Sequence, residues 1–227
     1  MQLVEAMRTT PSTRQFTDDD LPDDVLYEIL ERARFAPNGG NRQAWRLIVV
    51  RDAGTKARLA ELYDLGMREY AAHAAAGLVP FVAAEAHHRT EAAVDLEAAR
   101  DAPVAMDTSY LARVPVLLVI LLDLSNCSAV DSGLDRLSIA AGASVYPFAH
   151  NILLAARDAG FGGHFTSVLA RQEPAVRELL GIPNHFALAT MLPLGRPARE
   201  ITRLRRAAVE RFATRERFDG PAFTGHG

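Results

Sequence analysis

Cysteine is almost absent: Cys127 is the single thiol in 227 residues. That excludes an intramolecular disulfide framework and fits a reducing compartment. Charge of one sign is missing too. The formal net charge is -3, which makes no electrostatic case for a nucleic-acid partner. Long apolar runs are lacking. The longest, Val114 to Leu122, is about half of what a membrane span needs. The start, Met1 to Arg8, has neither the basic opening nor the apolar stretch of a signal peptide. The expectation is a cytoplasmic protein with no membrane or nucleic-acid partner. Repeats and low-complexity tracts are absent, as are G-x-S-x-G, Walker and H-E-x-x-H motifs. His87 and His88 with Glu91 offer two ligand types on one helical face. A third ligand is not evident, so no metal site is expected. Cys127 lies among polar turn residues after Asp123, and no nucleophilic role is expected for it.

What remains is a chain with 49% hydrophobic residues, long enough for one sizeable core. A single domain over 1–227 is expected. Residues 2–8 read as a short helix with Leu3 and Met7 inward. Pro22 stands at a helix start, with Asp23 and Asp24 in the first turn. Val25, Leu26, Ile29, Leu30 and Ala33 then form an i, i+3, i+4 stripe. Trp45–Arg51 is an expected strand. Residues 53–66 are an expected helix with Leu59, Leu62 and Leu65 on one face. Residues 70–105 are rich in Ala and charge and read as a helical cover with irregular joints. Val114–Asp123 is a continuous Val/Leu/Ile run, the pattern of a buried strand. Residues 137–159 read as one long, mostly apolar helix, either kinked at Pro147 or beginning near it. Further strands are expected at 163–168 and 185–192, around a short helix at 173–180 that Gly181 ends.

The loop Ala36-Pro37-Asn38-Gly39-Gly40-Asn41-Arg42-Gln43-Ala44-Trp45 joins a helix to a strand. Pro37 ends the helix and Gly39-Gly40 free the backbone. Asn38, Asn41 and Gln43 supply three amides, each a donor and an acceptor. Such a set suits a polar heteroaromatic ring; the other reading is an ordinary loop of turn residues. Gly160-Phe161-Gly162-Gly163 invites a dinucleotide-binding reading, but it follows a helix and precedes a strand, the reverse of that fingerprint. A helix C-cap and tight turn accounts for it.

Taken in order, these segments resemble the nitroreductase family of FMN-dependent oxidoreductases. The likeness rests on Met7-Arg8-Thr9-Thr10-Pro11-Ser12-Thr13-Arg14-Gln15-Phe16, the amide loop, His150-Asn151-Ile152-Leu153-Leu154-Ala155-Ala156, the glycine turn, Leu180-Gly181-Ile182-Pro183 and Leu192-Pro193-Leu194-Gly195-Arg196-Pro197. It covers residues 2 to about 206, with a gap around 70–110. The chain departs from the family pattern at Pro11 (often basic or His), Asn38 (usually Ser) and Ala44 (usually Pro). The resemblance implies an α+β fold, a mixed sheet flanked by helices with a long central helix. It also implies a homodimer, with the C-terminal extension 196–227 reaching onto the partner and 70–110 as a variable cover over the active site.

An FMN site needs cations or backbone N–H groups for the phosphate, amide-like partners and a positive charge for the pyrimidine edge, and open space at N5. The resemblance assigns Arg8, Ser12 and Arg14 to phosphate, ribityl and ring, with Arg14 nearer the ring. It adds cations from the cluster Arg203, Arg205 and Arg206, of which Arg205 and Arg206 are favoured. Each arginine also reads as part of a solvated face. Asn38, Gly39 and Asn41 match positions that reach the flavin from the partner, and Gln43 braces the loop. Ser144, Tyr146 and Pro147 match a stretch passing the ring, although Tyr146 reads equally as core. Gly162 and Gly163, lacking a Cβ, allow backbone N–H groups near flavin N5. No protein side chain is expected to be catalytic, because the flavin carries the hydride. NAD(P)H would be the reductant and a small electron-poor molecule, a nitroaromatic or quinone, the acceptor. Phe81 and Tyr110 lie in or near the cover that would select it. Reductive dehalogenation, flavin cleavage and non-catalytic FMN sequestration stay open as alternatives.

Overall fold

The computed structural model describes residues 1–82, 95, 103, 104 and 106–225. His87, His88 and Glu91 lie outside the described residues, as does most of the expected cover. The sheet is built from β1 (Trp45–Val50), β2 (Val116–Asp123), β3 (Gly162–Gly163) and β4 (Phe186–Gly195), in the spatial order β1-β2-β4-β3. Every pairing among these strands is antiparallel. The α+β class is as expected, but the sheet is antiparallel rather than mixed. The apolar run of β2 could not tell the two apart, because helices cover both faces in either case.

That double cover is legible along β2 itself. Successive side chains point to opposite faces of a strand. Val116, Leu118, Ile120 and Leu122 join a core with α2 (Asp23–Ala33) and α5 (Tyr146–Asp158). Leu117, Val119 and Leu121 join the opposite core, with α3 (Ala53–Ala75), α4 (Tyr110–Arg113) and α6 (Glu173–Leu180). Burying one Leu or Ile side chain stabilises by roughly 1.5–3 kcal/mol, so this strand is the centre of the hydrophobic term.

The helices follow local chemistry. α2 starts after Pro22 with Asp23 and Asp24 in its first turn, and buries Leu26, Ile29 and Ala33. α3 is capped by Asp52, whose carboxylate accepts from the Thr55 N–H at 2.7 Å. It runs to Ala75, beyond the expected end at residue 66, and stops before Gly77, whose φ of 73° suits glycine. Gly66 inside it did not break the helix; it lets the helix approach Val168. Leu59 and Leu62 are buried but Leu65 is turned outward. α6 ends at Gly181 with φ 65°, the left-handed cap expected.

Three expectations need correction. α1 (Leu3–Thr9) packs on α5 through Ala6, while Leu3 and Met7 are 68% and 61% exposed. Of the two readings of residues 137–159, the structure forms the helix that begins near Pro147, shorter than the expected span. A 3-10 turn, Ala140–Ser144, precedes α5, and Pro147 sits in the first turn of α5, where its missing N–H costs nothing. Strand three shrinks to Gly162–Gly163, followed by an isolated bridge from Thr166 to Met191; β4 runs on to Gly195. α5 remains the central helix, with Phe148, Ala149, Ile152, Leu153, Ala155 and Ala156 buried and Phe148 stacked on Trp45 at 4.8 Å between ring centroids.

Candidate active site

The N-terminal segment after α1 lies along the end of the sheet as a strap. Thr13 N–H donates to the Gly163 carbonyl at 2.9 Å, Thr17 N–H to Arg196 O at 2.9 Å, and Ala198 N–H to Gln15 O at 3.0 Å. The strap fits because β3 is glycine. A Cβ on Gly162 would lie 2.7 Å from Thr13 Oγ1, and one on Gly163 would lie 2.3 Å from the Pro193 carbonyl oxygen. The missing Cβ atoms thus let the protein's own chain pack closely here. Thr13 Oγ1 is buried beside Gly162 without a hydrogen-bond partner.

Arg14 follows Thr13 and is exposed. It lines a cavity of about 190 Å³ with Phe16, Asp107, Tyr110 and Arg113. The Asp107 carboxyl is held below its ordinary range by hydrogen bonds from the Ser109 hydroxyl and then the Ser109 N–H. Burial pushes the Tyr110 phenol well above its usual range, against the Arg14 charge. Behind Tyr110 lies His164, 1% exposed, with Nδ1 2.8 Å from Thr13 O and Nε2 3.1 Å from the Tyr110 hydroxyl. Burial, supported by the Arg14 charge and opposed by the Thr13 hydrogen bond, lowers His164 to about 4. The cavity therefore offers a guanidinium pair and an ionised carboxylate, a mixed donor and acceptor set.

The amide loop sits beside the start of α5. Gly39 N–H faces Ser144 Oγ at 3.4 Å, and Ser144 is buried. Asn38 turns inward on the loop: its Oδ1 accepts from Gln43 N–H at 2.8 Å and its Nδ2 donates to Ala36 O at 3.3 Å. Asn38 is therefore a brace, like Gln43, whose Nε2 reaches Asn41 O at 3.5 Å. Gly40, Asn41 and Gln43 have φ of 61°, 52° and 50°. Left-handed backbone at two non-glycine residues is a strained arrangement of the kind found at ligand sites. Asn41 is exposed. Tyr146 is exposed too; its ring stands edge-on to Phe165 at 6.5 Å, and its hydroxyl is 3.5 Å from Ala189 O. Pro147 is a helix-start residue.

Two groups thus assemble within one chain: Thr13 and Arg14 with Gly162 and Gly163, and Gly39 with Ser144. Arg8, Ser12, Arg203, Arg205 and Arg206 stand on the surface. The Arg206 guanidinium donates to Arg205 O at 2.8 Å. Beyond Glu200 the tail closes hydrogen bonds on itself, Phe223 N–H to Ala213 O and Arg215 N–H to Pro221 O among them. Among the described residues these cations meet neither group. Sequence reading missed Asp107, Arg113, Thr13 and His164. His164 did carry a signal: it is a polar residue set directly between the glycine turn and the core.

A family model, described as the nitroreductase family, matches residues 7–196. The chain belongs to the nitroreductase family. The nitroreductase match ends at Arg196, the residue at which the sheet gives way to the tail. An NADH dehydrogenase of Thermus thermophilus is 29% identical over 88% of this chain and 89% of its own length. Mouse iodotyrosine deiodinase 1 is 25% identical over 93% of this chain and 68% of its own. The nitroreductase fold also recurs in a solved iodotyrosine deiodinase bound to FMN and 3-iodo-L-tyrosine. That structure superposes with a TM-score of 0.63 at 21% identity, covering 92% of this chain and 96% of that one.

The residues present fit an FMN. The cavity beside Arg14 pairs cations with acceptors, as the imide edge of a flavin requires. An orphaned buried hydroxyl, Thr13 Oγ1, stands beside the glycine pair. Arg203, Arg205 and Arg206 are exposed on the tail. Among the described residues no helix is long and apolar enough to cross a membrane.

Proposed function

We propose that this nitroreductase-family flavoprotein transfers hydride from NAD(P)H, through bound FMN, to a small electron-poor acceptor such as a nitroaromatic or a quinone. The family supports the NAD(P)H-dependent flavin oxidoreductase class. The observation that carries the finer reading is the strap laid on the glycine pair, which fixes Arg14 at the mouth of a cavity that also holds Asp107.

FMN, once bound, would supply two-electron hydride chemistry. Arg14 would provide positive charge for the pyrimidine edge and Asp107 an acceptor for its N–H. Arg205 and Arg206, with Arg8 and Ser12, would hold the phosphate. Ser144 and Tyr146 would flank the ring, and Asn41 and Gly39 would reach it from a second copy of the chain. Reductant and acceptor use one opening in turn, so ping-pong kinetics are expected.

The functional unit is a homodimer. Leu3, Val4 and Met7 form an outward apolar face on α1, and the tail exposes Val209, Phe212 and Phe218, the last at 100%. Apolar surface of this kind marks an interaction site. A dimer also brings the tail arginines to a partner's flavin, which one chain does not do.

Purified protein is expected to be yellow, to release FMN on denaturation, and to oxidise NADH or NADPH in the presence of a nitroaromatic. A colourless protein that takes up no added FMN would overturn the reading. A second reading, reductive dehalogenation, is favoured by the iodotyrosine deiodinase likeness. Release of iodide from 3-iodotyrosine under dithionite, with no turnover of nitroaromatics, would select it.

A further inference from the structure

His164 ties together three pieces of chain that are distant in sequence. Its Nδ1 meets Thr13 O at 2.8 Å, across a separation of 151 residues, and its Nε2 meets the Tyr110 hydroxyl at 3.1 Å. The protons on this chain of contacts are determined by their partners. A carbonyl oxygen only accepts, so Nδ1 carries the hydrogen. In the neutral ring Nε2 then has a lone pair and no hydrogen. Tyr110 must donate to it, and its hydroxyl hydrogen points inward to His164.

The strap is gripped on both sides of Arg14. At Thr13 the grip is His164 Nδ1, together with the Thr13 N–H bond to Gly163. At Phe16 it is the ring of Tyr110, 6.0 Å away between centroids. His164 and Tyr110 are themselves 5.9 Å apart, ring to ring. Phe16, Tyr110 and His164 thus form a run of three rings under the strap, and Arg14 springs from the short span between the two grips. Arg14 is the charged group whose field reaches both Tyr110 and His164. Nothing about fold stability alone requires a doubly bonded histidine here; an apolar residue fills buried volume without two directional bonds.

We propose that His164 is a positioning residue of the flavin site: one nitrogen holds the strap that carries Arg14, the other holds Tyr110, and Arg14 is thereby aimed at the cavity it shares with Asp107. The inference rests on the FMN reading above. It assigns His164 no contact with flavin or substrate; its effect passes through Arg14.

The test separates the two nitrogens. His164→Asn places its amide N–H where Nδ1 stood, so it keeps the strap bond and loses Tyr110. His164→Gln reaches Tyr110 and loses the strap. Each variant, alone and combined with Arg14→Ala, is titrated with FMN and with riboflavin, and the midpoint potential of the bound flavin is measured beside its thermal midpoint. His164→Gln is expected to weaken FMN and riboflavin alike, about tenfold for one lost directional bond at the site, and to make the bound flavin harder to reduce. In the Arg14→Ala background it is expected to shift the potential no further, because the residue it acts through is gone. His164→Asn, which keeps the strap bond and loses only the Tyr110 bond, is expected to shift the potential less than His164→Gln does. If His164→Gln does not fold, Tyr110→Phe carries the same cycle, with a smaller shift that again vanishes without Arg14. A potential unmoved by these changes, or moved equally with and without Arg14, overturns the inference while wild-type FMN binding leaves the functional reading intact. Wild-type protein that takes up no FMN overturns both.

Discussion

Lowering the pH from 7.5 to 5 places a defined load on His164. The folded protein keeps this ring neutral down to about 4, against an ordinary value of 6.5, because it is buried and stands near Arg14. The unfolded chain has no such environment and takes the proton near 6.5. Between those values the unfolded state binds more protons than the folded one, so stability falls as pH falls. The full difference of 2.5 pH units corresponds to about 3 kcal/mol, reached below pH 4. By pH 5 the loss is about 2 kcal/mol. Urea unfolding at fixed protein concentration reads it directly: with a slope of about 2 kcal/mol/M, the midpoint drops by about 1 M. Contributions common to both proteins cancel when wild type is compared with His164→Asn, which does not titrate. The variant is expected to be less stable at pH 7.5 and to lose much less on acidification. Parallel loss in the two proteins between pH 7.5 and 5 would refute the claim that His164 is held neutral.

Gly163→Ala puts a Cβ 2.3 Å from a backbone oxygen that cannot swing aside, so a loss of about 3 kcal/mol or failure to fold is expected in thermal melts. Arg205→Ala or Arg206→Ala should weaken FMN about tenfold to a hundredfold while hardly changing riboflavin, since a charge-assisted phosphate contact is worth about 1.5–3 kcal/mol; equal losses for both ligands would remove the phosphate role. Arg14→Ala should weaken both ligands and lower the midpoint potential of the bound flavin. Deleting residues 203–227 should reduce dimer stability and FMN affinity together, by light scattering and titration; a tight-binding monomer would contradict the shared site.

Elements with a strong local signal were legible in the sequence. α2 had an acidic start and a periodic stripe, α6 had Gly181, and β2 had an unbroken apolar run. Where the local signal was weaker, context overrode it. Leu3 and Met7 share a helix face, but nothing local says whether that face meets this chain or another one. The apolar stretch over 137–159 looked continuous because a 3-10 turn and a helix both tolerate Ala and Gly, and only Pro147 marked the join. α3 outran its expected end because Gly66, a breaker by propensity, is held in place by its close approach to Val168. The glycine turn, the amide loop and Arg14 were recognisable as types and in order. Asp107, Arg113 and His164 were not, since their meaning comes from the strap crossing the sheet, a contact between chain ends that no window of sequence contains. Asn38 shows the converse: its type suited a ligand, but its nearest partner proved to be its own loop.

The strap also has a bearing on when the site comes into being. Thr13 waits for Gly163 and His164, and Phe16 pairs with Pro197, almost the whole length of the family region away. Closing so long a loop carries a large entropy cost before any contact is gained, and such contacts form late. During synthesis the N-terminal segment leaves the ribosome first yet has nothing to dock on until the last strand has emerged. The cavity beside Arg14 is lined by residues from the first half of the chain but held by Gly163 and His164 from the second, so its walls are synthesised well before the contacts that fix them.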